Sequence, residues 1–164
     1  MKNIVYKQNK SDHQIKKVEH VFGMAMILNK RKFGNNFFDE NIFLYHEEID
    51  LCKRMINIGQ NILELNIQLN HLGNQSHGGY DFEMEKSRNW HWMWSKFYFY
   101  KKHHNYFYSF FKTLPNFLSS IFKFLIYKLL TNRKKSSQYK MRFLGLLYSY
   151  MLCNSHYRPY NNKD

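Results

Sequence analysis

Apolar residues run almost unbroken through residues 18–28 (Val18, Val21, Phe22, Met24, Ala25, Met26, Ile27, Leu28), a pattern that predicts a strand buried near a sheet centre. Lys30, Arg31 and Lys32 mark its exit to solvent, and Gly34-Asn35-Asn36 signals a turn. Ile49, Cys52, Met55 and Ile56 then recur at helical spacing, with Gly59 where a C-capping glycine belongs. Residues 61–69 place Ile62, Leu63, Leu65, Ile67 and Leu69 as a strand with one buried face, and residues 73–80 form a loop rich in Gly, Asn and Ser. The character then changes. Residues 83–105 have helical length and carry Trp90, Trp92, Trp94, Phe97, Tyr98 and Phe99 among Lys96, Lys101 and Lys102. Residues 107–130 are more apolar, broken by Pro115, with Lys112, Lys123 and Lys128 spaced through them. A basic joint at 133–137 leads to a last apolar pattern over 139–153. The pattern divides the chain into a polar leader (1–19), a strand-and-helix half-domain (20–104) and a basic, aromatic, amphipathic helical region (105–164).

At 164 residues the chain can build one compact domain or part of a larger one. Its 25 Lys and Arg against 12 Asp and Glu leave a formal charge of +13, which favours polyanionic partners: nucleotide diphosphates, an anionic membrane surface or nucleic acid. Aromatics at 19% argue against simple disorder. Cys52 and Cys153 are too few for a disulfide framework or a zinc cluster, so a reducing compartment fits. Residues 1–17 lack the hydrophobic run of a secretory signal, and the expected location is cytoplasmic. Lys123 interrupts residues 114–130, and a central Lys costs about 2.5–3.5 kcal/mol on insertion scales. Interfacial seating at the membrane's inner face is therefore expected rather than spanning, with packing as core the other reading.

The densest chemistry lies in FFDENIFLYHEEIDLCKR, residues 37–54. Glu47, Glu48 and Asp50 open an amphipathic helical pattern just after Phe43, Leu44 and Tyr45. Carboxylates beside an apolar wall suit general-base chemistry, because burial and neighbours move their proton affinity toward working pH. The same residues also read as an acidic helix start complementing the macrodipole, with Asp50 and Arg54 paired at i, i+4.

Residues 23–76 resemble the C-terminal half of a family 2 glycosyltransferase catalytic domain, of the bacterial rhamnosyltransferase-like group. The resemblance rests on Gly23-Met24-Ala25, then Phe38-Asp39-Glu40, then Phe43, Tyr45, Glu47, Glu48, Asp50, Leu51 and Arg54, then Gly59, and last His71, Gly73 and Ser76. It implies an α/β fold: a partial glycosyltransferase A-type, Rossmann-like domain lacking its N-terminal nucleotide-binding half, followed by helices. It also implies inverting transfer of a sugar from a nucleotide-sugar donor to a lipid-linked glycan acceptor in cell-surface polysaccharide synthesis. Glu48 takes the base role, although the family usually has Asp there, and the longer side chain leaves Glu47 and Asp50 open as the base. Phe43 and Tyr45 become an acceptor platform or, alternatively, core. His71 becomes a ligand to a divalent cation (Mg or Mn) on the diphosphate, with Ser76, His77 and Arg88 as phosphate contacts. The family's Asp-x-Asp donor motif is missing, since no two Asp are separated by one residue. A truncated or split enzyme, inactive without a separate donor-binding chain, is the expectation. The competing reading is a non-enzymatic, basic membrane-surface protein. Nucleic acid is disfavoured, because the aromatics fall in long apolar runs rather than in an RNA-binding motif.

Overall fold

The computed structural model describes residues 15–23, 25–33, 37–65 and 81–158. In order these form strand β1 (Ile15–Val18), the single turn α1 (Lys30–Phe33), helix α2 (Glu47–Asn57), strand β2 (Ile62–Leu65) and helices α3 (Phe82–His103), α4 (Tyr106–Leu129) and α5 (Arg133–Tyr150). The expected Rossmann-like α/β half-domain is thereby corrected: the described chain is mostly helical, and its only sheet is an antiparallel pair.

The reason lies in hydrogen-bond accounting. A buried strand needs ladder partners on its flanks. Here β1 pairs β2 alone, from Ile15 opposite Leu65 to Val18 opposite Ile62. The apolar run past Val18 has no ladder among the described residues and forms no strand there; Ile27 is 96% exposed. The alternation in β2 fails to bury a face, and Leu63 and Leu65 stay exposed. The turn expected at 34–36 and the continuation of β2 to Leu69 lie outside the described residues.

Helices close their own hydrogen bonds, and here the caps are good. Asp81 accepts from the Glu83 and Met84 amides, Asn105 from Tyr108, and Asn132 from Lys135. Gly59 ends α2 as expected: at φ 76° it donates to Ile56 O (2.9 Å) while Gln60 donates to Met55 O (3.0 Å), the paired bonds of a Schellman motif. Helix α4 continues through Pro115, which lies on its exposed side.

Helices α3, α4 and α5 pack into an up-down-up bundle, α3 and α5 parallel and α4 antiparallel to both. Gln138 donates to Glu85 Oε1 (2.9 Å) and Arg142 to Asn89 Oδ1 (2.8 Å), so sequence rises together in α3 and α5. Along α4 the pairing reverses, with Phe110 and Phe117 on Tyr150 but Tyr127 on Tyr139. Met93, Phe97 and Leu146 form the core, flanked by Tyr106, Phe110, Phe117 and Tyr150. The boundary expected between 104 and 105 falls in the α3–α4 link of this one bundle. No helix among the described residues is long and apolar enough to cross a membrane.

One position sets how closely α3 and α5 approach. A Cβ on Gly145 would stand 2.3 Å from the backbone oxygen of Trp90. Alanine returns about 1 kcal/mol of helix propensity, but overpacking costs about 1–3 kcal/mol, and a backbone oxygen cannot rotate aside. Gly145→Ala is therefore expected to be net destabilising, lowering Tm by several degrees in a thermal melt. An unchanged or raised Tm would mean that the two helices separate at no cost.

Candidate functional site

The acidic helix start sits on a strained turn. Tyr45 (φ 64°) and His46 (φ 69°) are consecutive left-handed residues, and His46 caps α2 without a side-chain hydrogen bond. Left-handed non-glycine residues are uncommon, and two in succession persist only where surroundings hold them. The surroundings here are α3. Ser95 Oγ donates to Leu44 O (2.7 Å), Phe43 packs on His91 (4.9 Å) and His46 meets Phe99 edge-on (5.7 Å).

This turn brings several sequence-predicted residues together. Glu48 lies against Gly23, whose absent Cβ would be 3.7 Å from Glu48 Cβ, so two motifs of the resemblance meet in space. Arg88, Glu85 and Glu47 all act on the Tyr45 phenol, whose pKa burial raises. Burial also raises the Glu47 carboxyl; a backbone hydrogen bond opposes the rise and neighbouring Glu48 adds to it. Glu47 Oε2 is buried with no hydrogen-bond partner among the described residues. A carboxyl with that environment holds a proton more readily than one in water.

Asp50 has a different environment. It is fully buried, and Lys102 bridges it to Asp39, donating at 2.8 Å to Asp50 Oδ1 and 2.7 Å to Asp39 Oδ2. Arg54 donates to Asp50 Oδ2 (2.9 Å) and to the Phe37 carbonyl, and His103 donates to Asp50 Oδ1 (2.9 Å). Burial alone would raise Asp50, but bonds from Lys102, His103 and Arg54 outweigh it and the pKa falls. Asp39 follows the same balance, lowered to about 2 by Lys102 and Asn41 against burial. The i, i+4 pair of Asp50 and Arg54 forms as the spacing suggested. Lys102 and His103 lock α2 to the end of α3.

A C-terminal lid, unannounced by any local pattern, completes the site. Residues 153–158 turn back over α3, where Trp94 Nε1 donates to Cys153 O (2.9 Å) and Arg158 sits over the Phe43 ring (3.7 Å). His91 Nε2 donates to Tyr157 O (2.6 Å), which leaves Nδ1 of the neutral ring to accept from Ser155 Oγ (3.0 Å). Its pKa is lowered to about 4, by burial first and then by Arg158 and His156 against the Tyr157 bond. His46 is likewise lowered to about 4 by burial and Lys96. An unfolded histidine near 6.5 binds protons that these folded histidines refuse, so stability is lost as pH falls from about 6.5 toward 4. Urea midpoints are expected to drop between pH 7 and pH 5, and His91→Gln to flatten part of that slope. An equal slope in the variant would exclude His91.

His71, Ser76 and His77 lie outside the described residues. Among the described residues no group of three or more His, Cys, Asp or Glu could hold a metal. Asp50 has both oxygens engaged by basic side chains and is not free to ligate Mg or Mn. Comparison with protein families, with characterised proteins and with solved structures finds no match for this chain.

Proposed function

We propose that this chain carries the acceptor side of an inverting glycosyl transfer. Glu48 takes the proton of an acceptor hydroxyl as that oxygen attacks the anomeric carbon of a nucleotide-sugar. The bond from that carbon to the diphosphate breaks, and the departing diphosphate keeps the electron pair. The observation carrying this reading is the Glu47–Glu48 pair at the head of α2, held on a doubly left-handed turn beside Tyr45 and Arg88. Tyr45 is the better sugar platform, because Phe43 already has Arg158 on its ring. Asp50, its oxygens saturated by basic side chains, positions α2 and is too weak a base for the proton transfer.

The acceptor is a lipid-linked glycan of cell-surface polysaccharide, and the chain works peripherally on the inner face of the cell membrane. No Asp-x-Asp occurs in these 164 residues, and the donor is gripped by a donor-binding half outside them. Any cation on the diphosphate is held there together with His71, and Ser76 and His77 contact the phosphates. The test is Glu48→Gln in the native host: the surface glycan loses its sugar while the amount of chain stays normal. An intact glycan would favour the second reading, a basic membrane-surface protein without catalysis, for which the outward face of α4 speaks.

A further inference from the structure

Helix α4 is packed inside out. Its small polar residues Ser109, Thr113 and Ser120 are buried against the bundle, and Ser109 and Thr113 turn their hydroxyls back to the carbonyls of Asn105 and Ser109. Its large apolar residues point away. At 3.6 residues per turn, Phe107, Phe111, Leu118, Phe122, Leu125 and Leu129 fall on one face, and all are exposed, Phe107 at 73% and Leu129 at 84%. The helix is about 36 Å long at 1.5 Å per residue, so the apolar stripe runs the length of the bundle. A continuous patch of this kind marks an interaction surface.

Charge decides what covers it. Lys112 and Lys123 flank one side of the stripe and Lys128 the other, all exposed, and α4 has no acidic residue. The asymmetry extends further: between Glu85 and Asp164 the chain has no Asp or Glu, and every charged side chain there is basic. A second copy presenting the same face would set like charges together. An anionic lipid surface supplies both the apolar medium and the opposite charge. We infer that α4 lies in the interface of an anionic membrane, its Phe and Leu side chains in the acyl boundary and Lys112, Lys123 and Lys128 among acidic headgroups. This extends the peripheral placement proposed above and stands independently of sugar transfer.

The test is co-sedimentation of the purified full chain with vesicles of phosphatidylcholine alone or mixed with phosphatidylglycerol. Binding is expected only to the mixed vesicles and to weaken as salt is raised. Phe111→Ser with Phe122→Ser is expected to weaken partitioning by roughly tenfold per residue, with helical circular dichroism unchanged because both rings are already exposed. Lys112→Gln with Lys123→Gln is expected to lose about fivefold per residue. Equal binding to neutral vesicles, or undiminished binding by the Phe double variant, overturns the inference. So does sedimentation equilibrium showing a lipid-free dimer that the Phe double variant abolishes, which would assign the stripe to a second copy. Glycan loss plays no part in this measurement, so a failed base assignment and a failed membrane face remain distinguishable.

Discussion

Asp50→Asn is expected to destabilise the fold by about 3 kcal/mol, the low end of what breaking a buried charge pair costs. The substitution keeps the shape and removes the charge, leaving Lys102, His103 and Arg54 converging on a neutral amide. The loss stays near the low end because Lys102 and Arg54 side chains are 27% and 28% exposed and regain some water. Asp39→Asn is expected to cost less, since Asp39 has one cationic partner among the described residues. The pH dependence follows from the same charges. Asp39 is lowered from 3.8 to about 2 and Asp50 is lowered as well, so their contribution is complete above about pH 4. It disappears as pH falls toward 2, when the native carboxylates must take up protons. Urea titration at pH 7 and pH 3 checks both points. An Asp50→Asn protein as stable as the parent at pH 7 would show that the buried charges cancel no better than neutral packing.

Glu48→Gln is expected to lower sugar transfer by about 10²–10⁴-fold, the usual loss when a positioned base is removed. Membranes from the native host, supplied with nucleotide-sugar, provide the assay. Glu48→Asp tests the role more finely. It restores the carboxylate one methylene further back, and partial recovery is expected if proton removal is the function, whereas a purely structural Glu48 would not tell Asp from Gln. Glu47→Gln is expected to have the smaller effect, because Glu47 Oε2 is buried away from an approaching hydroxyl. Transfer unimpaired by Glu48→Gln removes that residue from the mechanism.

The parts of this fold readable from sequence are those set within one or two turns. Gly59 ended α2 where its period stopped, and Asp50 found Arg54 four residues on, because both features are local. The other partners of Asp50 lie 52 and 53 residues away, and no spacing rule reaches them. Longer separations still hid Ser155, Tyr157 and Arg158, although they close over His91 and Phe43. Residues 18–28 misled for a different reason. A continuous apolar run gives the signature of a central strand, but strand formation depends on neighbours that the run itself does not encode. In α4 the amphipathic character was legible, yet that character alone does not say which face turns inward. Interfacial seating and core packing were both open for its Phe and Leu, and the bundle buried Ser109, Thr113 and Ser120 instead.

The back-to-back left-handed pair at Tyr45 and His46 has an evolutionary consequence. Each such residue costs about 1–2 kcal/mol that glycine would not incur. Breeding this protein for heat tolerance alone should therefore drive glycine or asparagine into position 46 early. A lineage that refuses that easy gain would be declaring that the aim of the neighbouring phenol matters more than robustness.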